Sequence, residues 1–187
     1  MAHEPHLAVV CGGAGAGKTT LARRLVRHVG AALVDIDPCT DFMLAKGLEG
    51  FGLQQDDRDS PRYKSLFRDA IHKQLFSIAR EQLEHTQLPV VLVAPLTTER
   101  RWSAKEFAKW ILKELRLKDK PRLTIIYVFC DGRERLKRIR QRNFHRDAQK
   151  LVDEAGYMAA SEDPHETPVL AQFKKNEMHS VLKDKSI

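Results

Sequence analysis

Cysteine is scarce in this 187-residue chain, and the three present, Cys11, Cys39 and Cys130, are odd in number, far apart and set in apolar surroundings. That excludes a disulfide framework and a Cys-x-x-Cys metal knuckle, and leaves small core residues of a protein in a reducing compartment. Paired histidines are missing as well: none of the eight stands in an HExxH spacing, which argues against a zinc site and leaves only His145 worth watching. No apolar run approaches the ~20 residues of a membrane span. The opening "MAHEPHLAVV" has neither the charged lead nor the apolar stretch of a signal peptide, so a soluble cytoplasmic protein is expected. Aromatics are only 7% of the chain, and few stand near basic clusters, which counts against a surface for stacking nucleic-acid bases. Trp102 and Trp110 read as packing anchors.

What the chain does have is positive charge and strand-length apolar runs. An excess of 32 Lys and Arg over 25 Asp and Glu suits an anionic partner, whether nucleotide, phosphorylated metabolite or nucleic acid. Apolar runs recur at Leu7 to Val10, Ala31 to Ile36, Val90 to Ala94 and Leu123 to Phe129, with helically spaced segments between them. This alternation predicts a mostly parallel sheet covered by helices on both faces, in one domain spanning 1–187. The first helix carries Leu21, Ala22, Leu25, Val26 and Val29 on one stripe and stops at Gly30. The longest is expected to start at Ser60 and Pro61 and run unbroken through Ala79. Capping boxes are expected at Ser103 to Glu106 and at Asp131 to Glu134. Residues 143–168 are polar and read as a mobile cover, and the tail beyond Val169 has only loose helical spacing.

The chemistry starts at "CGGAGAGKTT". Gly12, four residues, then Gly17, Lys18 and Thr19 fit G-x-x-x-x-G-K-[ST], with a strand before and a helix after. Glycines let the chain curl so that successive amides point at phosphate oxygens, and the helix start adds its positive end. Gly12, Gly13, Ala14, Gly15, Ala16, Gly17, Lys18, Thr19 and Thr20 are therefore assigned to nucleotide binding. Lys18 reaches the β- and γ-phosphates, and the Thr19 hydroxyl is a ligand for Mg²⁺.

Next comes "VDIDP". Asp35 and Asp37 are expected to close the second strand at the carboxyl edge of the sheet, where open α/β folds place ligands. Two apart on extended chain, both carboxylates emerge on one side. One can serve the magnesium shell and the other can take a proton from an attacking hydroxyl; Asp37 can equally begin a turn before Pro38.

With "GGAGAGKTTLARRL", "VDID", "DDRDSPRYKSLFRDA" and "RERLKRIRQRNFHRDAQKL" in view, the chain from about Leu7 to Leu151 resembles the small P-loop kinases of the gluconate kinase and shikimate kinase type, together with related zeta-toxin-like and small AAA-like ATP-binding proteins. The resemblance implies a three-layer αβα P-loop NTPase fold with a mobile Arg-rich lid over about 132–165. It implies that Asp35 serves the magnesium shell with Thr19, that Asp37 meets the substrate as catalytic base, and that Arg58 and Arg62 bind substrate. It further implies that Arg138 binds nucleotide while Arg142 and Arg146 join Lys18 in catalysis.

Six arginines between Arg133 and Arg146 fit such a lid on physical grounds, because phosphoryl transfer leaves charge on the moving group. Thr97, Thr98, Arg100 and Arg101 sit just beyond the third strand and are candidates for substrate contact by position alone. The third strand ends in Ala94 and Pro95, with no acid to polarise water, and Asp131, which ends the fourth, already serves its capping box. The expected function is Mg²⁺-dependent transfer of the γ-phosphoryl group of ATP to a hydroxyl of a small metabolite. Alternatives are a polynucleotide 5′-end kinase and a regulatory nucleotide-binding ATPase.

Overall fold

The computed structural model describes residues 5–142, 144, 147 and 151–159. Four strands, β1 (His6–Cys11), β2 (Ala32–Asp35), β3 (Val90–Val93) and β4 (Arg122–Tyr127), form one parallel sheet in the order β2-β3-β1-β4. Around it run α1 (Lys18–Val29), α2 (Ile36–Gly50), α3 (Pro61–Leu66), α4 (Arg68–His85), α5 (Ala104–Leu115), α6 (Gly132–Arg142) and α7 (Glu154–Ala159), with a 3₁₀ turn at Glu99–Arg101. The expected strands are all present, each within two residues of its predicted ends.

Successive side chains of a strand point to opposite faces, and the core divides accordingly. Leu7 and Val9 of β1 and Val90 and Leu92 of β3 pack with Leu75, Phe76, Phe107 and Ile111 beneath α4 and α5. Ala8, Val10, Val91 and Val93 pack with Ala22 of α1 on the other face. Both faces of the central strands are thereby buried, which is why those strands read as continuous apolar runs. The helix-sheet-helix layering is that of a P-loop NTPase. Trp110 meets Phe76 edge-on at 5.2 Å and Trp102 at 5.8 Å, so both tryptophans are packing anchors as expected.

Three local expectations need correction. The long helix is broken at Phe67, whose ring leaves the helical path to meet Tyr63 at 6.4 Å and Phe51 at 5.5 Å. Strand β2 ends at Asp35, so Asp37 does not lie on extended chain; it sits in the first turn of α2, for which Asp35 is the N-cap. The second capping box is half made. Asp131 accepts from the Arg133 amide at 2.9 Å, whereas Glu134 pairs with Arg138 at 3.1 Å. The box at Ser103 and Glu106 is complete. Tail residues 160–187 and much of the expected lid, including His145 and Arg146, lie outside the described residues.

Candidate functional site

The loop between β1 and α1 forms the floor of a cleft of about 1080 Å³ at the carboxyl edge of the sheet. Its curl begins at Gly12, whose φ of 143° no ordinary side chain adopts readily, and where a Cβ would stand 2.3 Å from the Val128 carbonyl oxygen. The backbone is thus pressed against the end of β4 before it turns back to start α1. Lys18 Nζ donates to the Gly13 carbonyl at 2.8 Å, folding its amine across the loop.

Burial lowers the Lys18 pKa to about 8; nearby Asp37 opposes the shift, and the Arg142 and Arg135 cations add to it. Three cations beside one loop repel each other unless an anion lies among them. A polyphosphate has charge of the kind that fits there.

Thr19 Oγ1 donates to Asp35 Oδ2 at 2.9 Å. Asp35 is buried, which raises its pKa; the hydrogen bonds from the Thr19 hydroxyl and the Asp37 amide lower it, and the Asp37 charge raises it. A buried carboxylate joined to a hydroxyl at the start of the helix, beside the glycine-rich loop, fits a hard divalent cation such as Mg²⁺. Asp37 lines the same cleft with Thr40 and Asp41 along α2. The helix rather than a strand end brings Asp37 to the site.

Opposite the loop stands α6. Arg138 lines the cleft, with a guanidinium nitrogen 3.4 Å from where a Gly17 Cβ would be. Arg142 also lines it, and its Nε donates to buried Asp147 at 2.8 Å. Of the two arginines expected to bind substrate, Arg58 lines the cleft, donates to the Gln55 carbonyl at 3.0 Å and lies 3.6 Å from Asp41. Arg62 is exposed on α3 and does not line the cleft. Thr97 and Arg101 line it and Thr98 does not.

The sequence reading missed one wall of the cleft. Arg68 Nη2 donates to both oxygens of Glu99, at 2.7 and 2.8 Å, and His72 Nδ1 lies 3.8 Å from the same carboxylate. Glu99 is buried, and Arg68 and His72 both line the cleft. Burial lowers the His72 pKa, Glu99 opposing it. These residues come from α4 and from the turn after β3, where Leu96 is buried at φ 45° and turns the chain so that Thr97 faces the cleft. The signal lay partly within "TTERRW": Arg101 lines the cleft, and the acid, Glu99, holds Arg68 at its edge.

Residues 7–163 match a family model described as an AAA domain. The chain belongs to this AAA domain family. Among solved structures, this AAA domain is similar to a sugar kinase from Janibacter sp. HTCC2649, at TM-score 0.52 and 12% identity, over 87% of this chain and 82% of that one. It is also similar to a chain of the Pnkp1/Rnl/Hen1 RNA repair complex, at TM-score 0.51 and 18% identity, over 87% of this chain. The AAA domain spans about half, 48%, of that repair chain. At such identities the likeness carries the fold, that of the small P-loop kinases, and not the substrate. No curated protein matches the chain. Among the described residues, no helix is long and apolar enough to cross a membrane.

Proposed function

We propose that this chain is a phosphotransferase that moves the γ-phosphoryl group of ATP to a hydroxyl of a small metabolite, with Mg²⁺ as cofactor. One observation carries the reading. The phosphate loop and Asp37 share a single cleft, while β3, the strand beside β1, ends at Val93 and is followed by Ala94 and Pro95, with no acid to polarise water. A carboxylate beside the phosphates but off the buried strand is placed to serve an acceptor hydroxyl.

In this scheme the loop amides and Lys18 hold the β- and γ-phosphates. Thr19 and Asp35 hold the metal, which neutralises polyphosphate charge when bound. Asp37 accepts the hydroxyl proton as the acceptor oxygen bonds to the γ-phosphorus and the bond from that phosphorus to the bridging oxygen breaks, leaving ADP. Arg138 and Arg142, with Arg146 from the remainder of the lid, meet the charge on the moving group. Arg58 and Arg68 orient the acceptor.

The test is to incubate the chain with γ-labelled ATP and a pooled metabolite extract and to identify what gains label. Asp37→Asn is expected to bind ATP nearly as the parent does and to transfer nothing. Transfer at the parental rate in that variant overturns Asp37 as base. Slow hydrolysis without an acceptor, unchanged by Asp37→Asn, favours a regulatory ATPase instead.

A larger acceptor finds support in a second hollow that shares Asp41 and Arg58 with the cleft and is lined by Phe42, Met43 and Phe144. Phe42 is 88% exposed. Such side chains beside a basic cleft suit a polynucleotide 5′ end, and phosphorylation of an oligonucleotide falling steeply with salt is the result that selects this second reading.

A further inference from the structure

The phosphate loop is held by two side chains that the scheme above does not use. Arg135, buried on α6, donates from Nε to the Ala14 carbonyl at 2.9 Å. The Tyr157 hydroxyl on α7 donates to the same oxygen, also at 2.9 Å. Two donors fill both lone pairs of one carbonyl. The Arg135 guanidinium also lies 4.9 Å from the centre of the Tyr157 ring, so the donors brace each other. Arg140 pairs with Glu154, which ties α7 to α6 along the same edge.

The consequence follows from peptide geometry. A trans peptide is planar with its C=O and N–H pointing in opposite directions, and none of the described peptides is cis. Fixing the Ala14 oxygen toward Arg135 and Tyr157 therefore fixes the Gly15 amide away from them. Gly15 lines the cleft at the midpoint of the cradle. The loop's glycine content leaves this peptide free to flip unless something outside prevents it. Space under the loop is fully used: a Cβ on Gly13 would stand 2.6 Å from the Arg135 guanidinium.

We propose that Arg135 and Tyr157 are positioning residues for the phosphate loop: by filling the Ala14 carbonyl they turn the Gly15 amide toward the bound polyphosphate, and they make the nucleotide grip depend on the helix that follows α6. The inference rests on the phosphate-loop reading and deepens it. It assigns Tyr157, from a segment with no recognisable motif, to the nucleotide site. Burial raises the Tyr157 pKa, which keeps the phenol protonated and able to donate at neutral pH.

The experiment is calorimetric titration of the whole chain with MgADP and, separately, with magnesium pyrophosphate, which has no base or sugar. Tyr157→Phe keeps the ring and its contact with Arg135 and removes only the hydrogen bond. Both ligands are expected to bind roughly 3- to 10-fold more weakly to this variant, by the same factor, with the melting temperature little changed. Arg135→Lys, which keeps the charge without the guanidinium Nε donor, is expected to do the same. Loss of MgADP affinity with pyrophosphate unaffected would mean that Tyr157 serves the base, and overturns the inference. Parental affinity of Tyr157→Phe for both ligands overturns it as well. A parent chain that takes up neither ligand overturns the phosphate-loop reading itself, so the two failures are distinguishable.

Discussion

Replacing Lys18 by Met is expected to stabilise the nucleotide-free protein while removing its hold on nucleotide. The amine moves from an ordinary pKa of 10.5 to about 8 on folding, chiefly because burial penalises its charge. At 1.36 kcal/mol for each tenfold change in proton affinity, the penalty has a ceiling of about 3 kcal/mol. The substitution also removes the bond to the Gly13 carbonyl, a loss of about 1 kcal/mol, and partial solvation of Lys18 trims the ceiling further. A net gain of about 1 to 2 kcal/mol remains, or a rise of about 2–8 °C in melting temperature for a chain of this size. The sign of the pH dependence is fixed. The folded pKa lies below the unfolded one, so the penalty is fully present below about pH 8 and fades as pH rises toward 10.5. Thermal melts of parent and Lys18→Met at pH 7 and pH 10, without nucleotide, read this directly. The variant should melt higher at pH 7, the gap should narrow at pH 10, and MgADP should raise the melting temperature of the parent alone. A variant that melts lower at pH 7, or a gap indifferent to pH, refutes the electrostatic account.

The same amine sets how nucleotide affinity responds to pH: a bound polyphosphate favours its charged form, so the MgADP dissociation constant should rise about tenfold between pH 8 and pH 9.5, with proton uptake visible as buffer-dependent binding heat. Gly12→Ala places a Cβ 2.3 Å from a backbone oxygen at φ 143°, and should cost more than about 2 kcal/mol in chemical denaturation while abolishing nucleotide binding. Glu99→Ala strands the Arg68 cation in the wall of the cleft, and should destabilise the fold by about 2 kcal/mol yet leave MgADP affinity within twofold of the parent, because Glu99 does not line the cleft beside the phosphate loop.

The parts of the site legible in the sequence are those made by contiguous chain. Gly12 to Thr19 announce themselves because one loop must supply curl, amides, cation and hydroxyl within a few residues. Asp35 follows because it ends a strand whose place in the sheet the apolar runs already give, and Asp37 stands two residues beyond it. Even here, sequence spacing misled about the means: Asp37 reaches the cleft on the first turn of α2, capped by Asp35, and not by the alternation of a strand. The wall made by Arg68 and Glu99 was illegible because it is assembled across the fold. Arg68 and Glu99 are 31 residues apart, and only the packing of α4 against the turn after β3 brings them to 2.7 Å. Arg62 was expected in the cleft and Arg68 was not, and the break at Phe67 bears on that outcome, since it ends the helix carrying the first and begins the one carrying the second. Tyr157 lies in a polar stretch where nothing in composition separates a structural donor from a solvated side chain.

The cations of α6 divide by the partners they hold, and that division constrains how the proposed lid works. Arg135 is committed to the Ala14 carbonyl and Arg138 to Glu134, while Arg142 is held by buried Asp147. A phosphate that recruits Arg142 must therefore replace a charge-assisted bond to a carboxylate which is itself out of water. A monophosphate lying at the loop floor offers too little for that exchange, whereas the terminal group of a triphosphate brings further charge within reach of Arg142 and relieves the depressed Lys18 in the same event. The pairing thus favours a lid that engages only when the nucleotide is long enough to be a phosphoryl donor. An Asp147→Asn chain, which loosens the hold on Arg142, should narrow the ratio of ATP to ADP affinity by raising the weaker of the two. A ratio unchanged by Asp147→Asn would show that Arg142 takes no part in sensing the third phosphate.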